Sequence, residues 1–195
     1  MAYVAGIDVG SVSTKVVVMR DGDIVASALV PSGSNYGKAA QEVLDRALEQ
    51  AGIARKDLAH VLATGLGSAS VTSADSEASD ITCQGRGVHR VFPSARTVID
   101  MGGQASKVIR VNGDGRVSDF TISEKCAAGS GRFLQVIARV LQVNLDDVGP
   151  LSLKSKREVE FTTSCAVFAE SEAISRIGEG AAKEDILAGV HRALA

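Results

Sequence analysis

A chain of 195 residues, 45% of them hydrophobic and 23% charged, can bury a sizeable core and is no tail or fibre. A net charge of -2 speaks against nucleic acid as a partner, because phosphate-backbone binding needs Lys and Arg clustered on one face, and the densest basic group, Lys154, Lys156 and Arg157, reads as a solvated turn. No run approaches the roughly 20 apolar residues of a membrane span, and the opening MAYVAGIDVG has no signal-peptide pattern, so the expected location is the cytoplasm.

The first predicted element is an apolar strand that runs into Asp8, Gly10 and a small polar loop, within GIDVGSVSTKVVVM at 6–19. A β-branched strand follows, and Asp21-Gly22-Asp23 turns it into a hairpin. Gly10 lets the backbone approach a ligand closely, Ser11, Ser13 and Thr14 add hydroxyl donors, and successive loop N–H groups form an anion-holding nest. Phosphate suits such a loop, and beside phosphate the useful role for Asp8 is to hold Mg²⁺. A single motif of this kind can equally be a plain hairpin turn, where Asp and Gly are common.

Residues 37–51 place Ala40, Val43, Leu44, Ala47, Leu48 and Ala51 at helical spacing, with Gly52 as the stop. His60 to Thr64 reads as a short strand entering the loop Gly65-Leu66-Gly67, residues 75–90 as a polar helix, and Phe92-Pro93 as the end of a first lobe.

Residues 98–111, VIDMGGQASKVIRV, then repeat the opening. Ile7, Asp8, Gly10, Lys15 and Val16 align with Ile99, Asp100, Gly102, Lys107 and Val108 at one constant offset, and Asn112-Gly113-Asp114-Gly115 closes a second hairpin. Two copies in register predict two homologous lobes, 1–94 and 95–195, each with a phosphate loop. In the second loop Gly102 and Gly103 supply the close approach, and Gln104 either orients a water or is a solvent-exposed loop residue.

Beyond it, Val117 to Ser123 returns the hairpin and 126–142 forms the clearest helix, with Phe133, Leu134, Ile137, Val140 and Leu141 as its apolar stripe. A loop at Gly149-Pro150, a strand from Val159 to Thr162, and helices near 166–177 and from 183 onward complete an α/β pattern. Glu170 and Glu172 lie in the first of these two helices and either reach a site or form a solvated face.

Cys83, Cys126 and Cys165 are too few, and odd in number, for a disulfide framework. Cys126 and Cys165 open predicted helices, where the helix dipole favours a thiolate able to ligate metal. The other reading is a small buried hydrophobe, the usual behaviour of a free cysteine.

The paired loops resemble those of the superfamily of actin, sugar kinases and heat-shock chaperone ATPases. GIDVGS-x-STK, ITCQGRG, VIDMGGQASK, CAAGSGRF and TTSCAVFAESE, in this order over nearly the whole chain, resemble more narrowly the ATPase family of 2-hydroxyacyl-CoA dehydratase activators and benzoyl-CoA reductase nucleotide-binding subunits. The resemblance implies an actin-like, ribonuclease H-like two-lobed ATPase fold. ATP or ADP would be bound by Gly10, Ser11, Ser13, Thr14, Lys15, Gly102, Gly103 and Gln104, with Mg²⁺ near Asp8 and Asp100, and with Asp8, Asp100 and Gln104 serving hydrolysis. It also implies a homodimer with one [4Fe–4S] cluster at the interface, ligated by Cys126 and Cys165 of each chain. Ligand counting agrees, since a cubane takes about four thiolates and a two-fold axis doubles the two well-placed ones. Cys83 matches a position that is not a ligand and is expected to pack near the nucleotide. The implied task is to hydrolyse ATP so that one electron passes from reduced ferredoxin or flavodoxin, through the cluster, to an acyl-CoA dehydratase or reductase.

Three features depart from the family. Ala105 stands where its second phosphate motif has an acidic residue, which predicts slow hydrolysis with nucleotide binding retained. Gln84 stands where it has histidine. Its glycine-rich adenosine loop and last helix do not occur before Ala195, as expected of a fragment or of a chain with reduced ATP affinity. Two other functions stay open: a small-molecule kinase of the same superfamily, and a non-catalytic module that binds a cluster or a partner.

Overall fold

The computed structural model describes residues 2–123, 131–161 and 166–194. Its contacts divide into two compact units, Met1–Thr97 with Arg110–Asp119, and Val98–Ile109 with Phe120–Ala195. The division runs through the second hairpin, whose turn belongs to the first unit and whose Asp100 end belongs to the second. No helix among the described residues is long and apolar enough to cross a membrane.

In the first unit β1 (Tyr3–Val9), β2 (Ser13–Arg20) and β3 (Asp23–Pro31) form an antiparallel meander. Asp21 and Gly22, at φ 51° and 94°, make the two-residue turn whose twist matches that of the strands. Alternation then sends Ala5, Ile7, Val9, Val16 and Val18 to one face. Helix α1 (Tyr36–Ala51) covers that face with Ala39, Ala40, Val43, Leu44, Ala47 and Leu48. Asn35 caps it by accepting from the Lys38 N–H at 2.9 Å, and Gly52 ends it at φ 66°. Because α1 crosses over the sheet, β4 (Leu58–Thr64) runs parallel to β1, and with β5 (Ser76–Glu77) the order is β3-β2-β1-β4-β5.

The polar helix expected over 75–90 starts later, as α2 (Asp80–Val91). Asp75 instead extends the sheet edge: its carboxylate accepts from the Val61 N–H at 2.7 Å, and its own N–H donates to the Val61 carbonyl at 2.8 Å. Ser79 then caps α2, accepting from the Thr82 N–H at 3.2 Å. The hairpin copy forms a second sheet, β6 (Thr97–Met101), β7 (Ser106–Val111) and β8 (Val117–Ile122), in that order. Its turn packs on α2, where Arg86 donates to the Asp114 carbonyl at 2.9 Å. Gly85 leaves the room for this packing, because a Cβ there would meet Val117 Cγ2 at 2.9 Å.

In the second unit α3 (Gly131–Leu141), α4 (Val148–Ser152), α5 (Ala166–Gly178) and α6 (Lys183–Leu194) enclose a core that includes Phe133, Ile137, Leu141, Ala173, Ile186 and Leu187. Gly149-Pro150 lies within α4 rather than in a loop, because Pro150 falls in its first turn, where no N–H partner is required. The strand expected from Val159 joins no ladder over its described part, which ends at Phe161. Phe161 is buried there, and the Val159 carbonyl lies against α6, where a Cβ on Gly189 would come within 2.4 Å of it. Asp185 holds the preceding segment by accepting from Ser155 Oγ at 2.9 Å and from the N–H groups of Lys156 and Arg157 at 2.8 and 3.0 Å. Those backbone bonds, Arg157's first, keep its carboxyl below the ordinary carboxylate range.

The helix ends of the two units also correspond. Gln142 follows α3 at φ 53°, where Gly52 follows α1 at φ 66°. The N–H of Gln142 donates to the Arg139 carbonyl at 3.1 Å and that of Val143 to Ala138 at 2.9 Å, as Gly52 and Ile53 do to Glu49 and Leu48. A left-handed Gln carries a steric cost that glycine avoids. Gln142→Gly is therefore expected to raise stability by about 0.5–1 kcal/mol in chemical denaturation, after the entropy of a freer unfolded chain is subtracted.

Candidate nucleotide-binding site

The first loop is made where β1 stops at Val9 and β2 resumes at Ser13. The Gly10 N–H donates to the Ser13 carbonyl at 3.1 Å, and a Cβ on Gly10 would stand 2.9 Å from that same oxygen. Only glycine closes the loop this tightly. Ser32, one residue beyond β3, pins it at three points. Its Oγ donates to the Gly10 carbonyl at 2.6 Å and shares a 2.9 Å bond with Thr14 Oγ1, and its N–H donates to the Val12 carbonyl at 3.0 Å. Thr14 is fully buried, so its hydroxyl holds the loop from inside, while Ser11 and Ser13 are half-buried at its surface.

Asp8 faces away from the α1 side, and its Oδ2 accepts from Lys15 Nζ at 3.0 Å. The pair follows from register, since Asp8 and Lys15 are partners across β1 and β2. Both side chains are about two-fifths exposed (42% and 43%), so the pair adds little stability and stays open to a ligand. Lys15 offsets the carboxylate's repulsion of phosphate, and the carboxylate can hold a cation beside it. Gly65 walls the site from β4. At φ 88° its Cα lies so close to Asp8 that a Cβ would come within 2.5 Å of Oδ1 and 2.6 Å of the Val9 carbonyl.

The second loop has the same construction in its own unit. The Gly102 N–H donates to the Ala105 carbonyl at 3.0 Å, and a Cβ on Gly102 would meet that oxygen at 2.8 Å. Lys107 Nζ stands 4.0 Å from Asp100 Oδ2, the counterpart of the Asp8–Lys15 pair. Gly102 and Gly103 are half-buried and Gln104 is exposed. Where Ser32 holds the Gly10 carbonyl, the first turn of α3 holds loop 2: the Gly131 N–H donates to the Gly102 carbonyl at 2.9 Å and the Arg132 N–H to Gly103 at 3.3 Å.

Sequence reasoning missed Ser32, Gly65 and Lys107 as site residues. The repeat could have supplied Lys107, which aligns with Lys15, whereas Ser32 and Gly65 reach their loop only through sheet pairing. Cys126 and Cys165 lie outside the described residues. Cys83 is half-buried on α2 and free, and Glu170 is exposed on α5, where Glu172 pairs with Arg176 at 3.4 Å. Among the described residues no three His, Cys, Asp or Glu gather to hold a metal. A Mg²⁺ at these loops would therefore take most of its ligands from phosphate and water, which is its habit at phosphate sites.

A sheet of this order, with an Asp-x-Gly loop on its first hairpin and a copy of it on a second, is the arrangement of an actin-like fold. Residues 5–195 match the BadF/BadG/BcrA/BcrD ATPase family, and the chain belongs to that family. The 2-hydroxyisocaproyl-CoA dehydratase activator of Clostridioides difficile is 41% identical over 194 residues, which are 99% of this chain and 73% of that protein. The crystal structure of component A of (R)-2-hydroxyglutaryl-CoA dehydratase from Acidaminococcus fermentans matches 100% of this chain and 75% of its own, with a TM-score of 0.92 at 41% identity. The Clostridium difficile activator with bound ADPNP matches 98% of this chain and 72% of its own, with a TM-score of 0.88 at 40% identity.

Proposed function

We propose that this chain is an ATP-driven activator that delivers one low-potential electron to an acyl-CoA dehydratase or reductase component. Family membership and the activities in the names of its relatives support the ATPase and activator parts. The observation that carries the coupling is the pair of backbone bonds from Gly131 and Arg132 to loop 2. They tie a phosphate loop to a helix that begins five residues after Cys126. A ligand that shifts loop 2 thus acts on the start of α3 through two hydrogen bonds, and differential affinity of the two arrangements for nucleotide supplies the drive.

In this reading Lys15 and Lys107 offset phosphate charge. The loop N–H groups with Ser11 and Ser13 cradle the terminal phosphates, and Asp8 and Asp100 hold Mg²⁺ directly or through water. Gln104, exposed on loop 2, orients the attacking water, and Ala105 in place of an acid makes turnover slow. Cys126 and Cys165 of two copies would hold a [4Fe–4S] cluster, which supplies a one-electron carrier when bound. The donor set fits in number and in placement along the chain: each cysteine shortly precedes a helix, α3 or α5, and Phe133, Ile137, Ala169 and Ala173 of these helices share one core. The donor would be a reduced ferredoxin or flavodoxin.

Anaerobic purification with iron and sulfide analysis tests the reading. About four irons per two chains are expected in the wild type, with a dimer in solution, and little iron in Cys126→Ala. An iron-free monomer would overturn the cluster and return the choice to a kinase or a non-catalytic module. Iron without ATP-dependent electron transfer to an acceptor would leave only the module.

A further inference from the structure

Thr64 ends β4 with 7% of its surface exposed, and its Oγ1 is buried without a hydrogen-bond partner. A hydroxyl in that state is costly, and in native proteins such a group usually has a reason to be kept. Its place suggests one. Thr64 and Asp8 are register partners on the parallel strands β4 and β1, so their side chains share a face about 4.8 Å apart at the backbone. Val61 and Ala63 take the opposite face with Ile7 and Val9, in the core beside α1.

The two oxygens of Asp8 have different surroundings. Oδ2 takes the Lys15 ammonium at 3.0 Å, whereas Oδ1 lies toward the Thr64–Gly65 corner, where only the missing Cβ of Gly65 leaves room. Lys15 cannot serve the carboxylate and an incoming phosphate equally well. Once phosphate draws the ammonium away, Asp8 loses its ion-pair partner and stands beside an orphan hydroxyl. Loop 2 has no such corner among the described residues, because β6, the strand of Asp100, has only β7 as a neighbour in its sheet.

We propose that Thr64 is a positioning residue for Asp8. When Mg·nucleotide engages Lys15, the Thr64 hydroxyl donates to the Asp8 carboxylate and sets it toward the metal side of the ligand. This rests on the reading above that loop 1 holds a Mg·nucleotide, and it adds a residue and an order of events to that reading.

The test is calorimetric titration of the full chain with ADPNP, with and without Mg²⁺, for wild type, Thr64→Val and Thr64→Ser. Thr64→Val should bind Mg·ADPNP about tenfold more weakly, the worth of one hydrogen bond to a charged group, at undiminished thermal stability. Metal-free ADPNP binding should be unchanged, and Thr64→Ser should restore the wild-type response to Mg²⁺. Wild-type affinity in Thr64→Val overturns the proposal. So does a loss of stability in Thr64→Val that lowers affinity equally with and without Mg²⁺, since the hydroxyl is then structural. A wild type that fails to bind Mg·ADPNP at all is a separate result, which removes the underlying reading and this inference with it.

Discussion

Asp8→Asn is expected to leave the chain folded and to lower its ATP turnover by about a hundredfold or more, the scale of losing one preorganised charge at a phosphoryl-transfer site. The two halves of this expectation rest on different observations. The fold survives because Asp8 is two-fifths exposed and its pair with Lys15 is a surface ion pair, worth at most about 1 kcal/mol. Turnover falls because an amide is a poor ligand for Mg²⁺ and carries no charge to hold the metal beside the phosphate. Phosphate release at saturating Mg·ATP, with the thermal midpoint recorded beside it, gives both numbers. A variant that hydrolyses ATP at the wild-type rate would remove Asp8 from the machinery and reduce the first motif to a hairpin turn.

Gly65→Ala is expected to damage stability and site together. At φ 88° an alanine is strained, and its Cβ would overlap Asp8 Oδ1 at 2.5 Å and the Val9 carbonyl at 2.6 Å. Strain and overpacking together amount to about 2–5 kcal/mol, and relief requires β4 to move away from β1 at the end that presents Asp8. Gly33→Ala is the control. It too has positive φ, 57°, but no atom lies within 4 Å of the added Cβ, so only the backbone cost of about 1 kcal/mol applies. Denaturant midpoints of the two variants should separate accordingly, with nucleotide binding lost in the first and kept in the second. Equal midpoints would mean that the Gly65 corner yields freely and does not wall the site.

Much of this architecture can be read along the chain. The meander, α1 with its caps, and the two Asp-x-Gly loops follow from alternation, helical spacing and turn chemistry, which are properties of neighbouring residues. The repeat carries further than any one motif, because it places Asp100 and Lys107 by analogy with Asp8 and Lys15, and the structure gives both loops the same closing bond. The local signals mislead where a long-range contact outweighs them. Residues 75–79 look helical but Asp75 to Ala78 are claimed by Val61, Leu62 and Ala63 of β4 at the sheet edge, and the alternation at Val159–Phe161 serves packing on α6 instead of a ladder.

The chemistry of the loops is legible as residue types, whereas their working geometry is not. That Asp8 meets Lys15 comes from one antiparallel register, and that it meets Thr64 and Gly65 comes from a parallel one, set by a crossover helix that no local pattern specifies. Thr14 illustrates the difference. Its hydroxyl reads as a phosphate donor in the string GSVST, yet its place on β2 points it inward, to Ser32, so that it holds the loop and leaves the surface to Ser11 and Ser13. The motif strings along the chain carry the resemblance to the family and supply the reactive groups as residue types. Which oxygen of Asp8 is engaged, and which hydroxyl is left open beside it, depends on strands brought together from distant positions, and only folding brings them there.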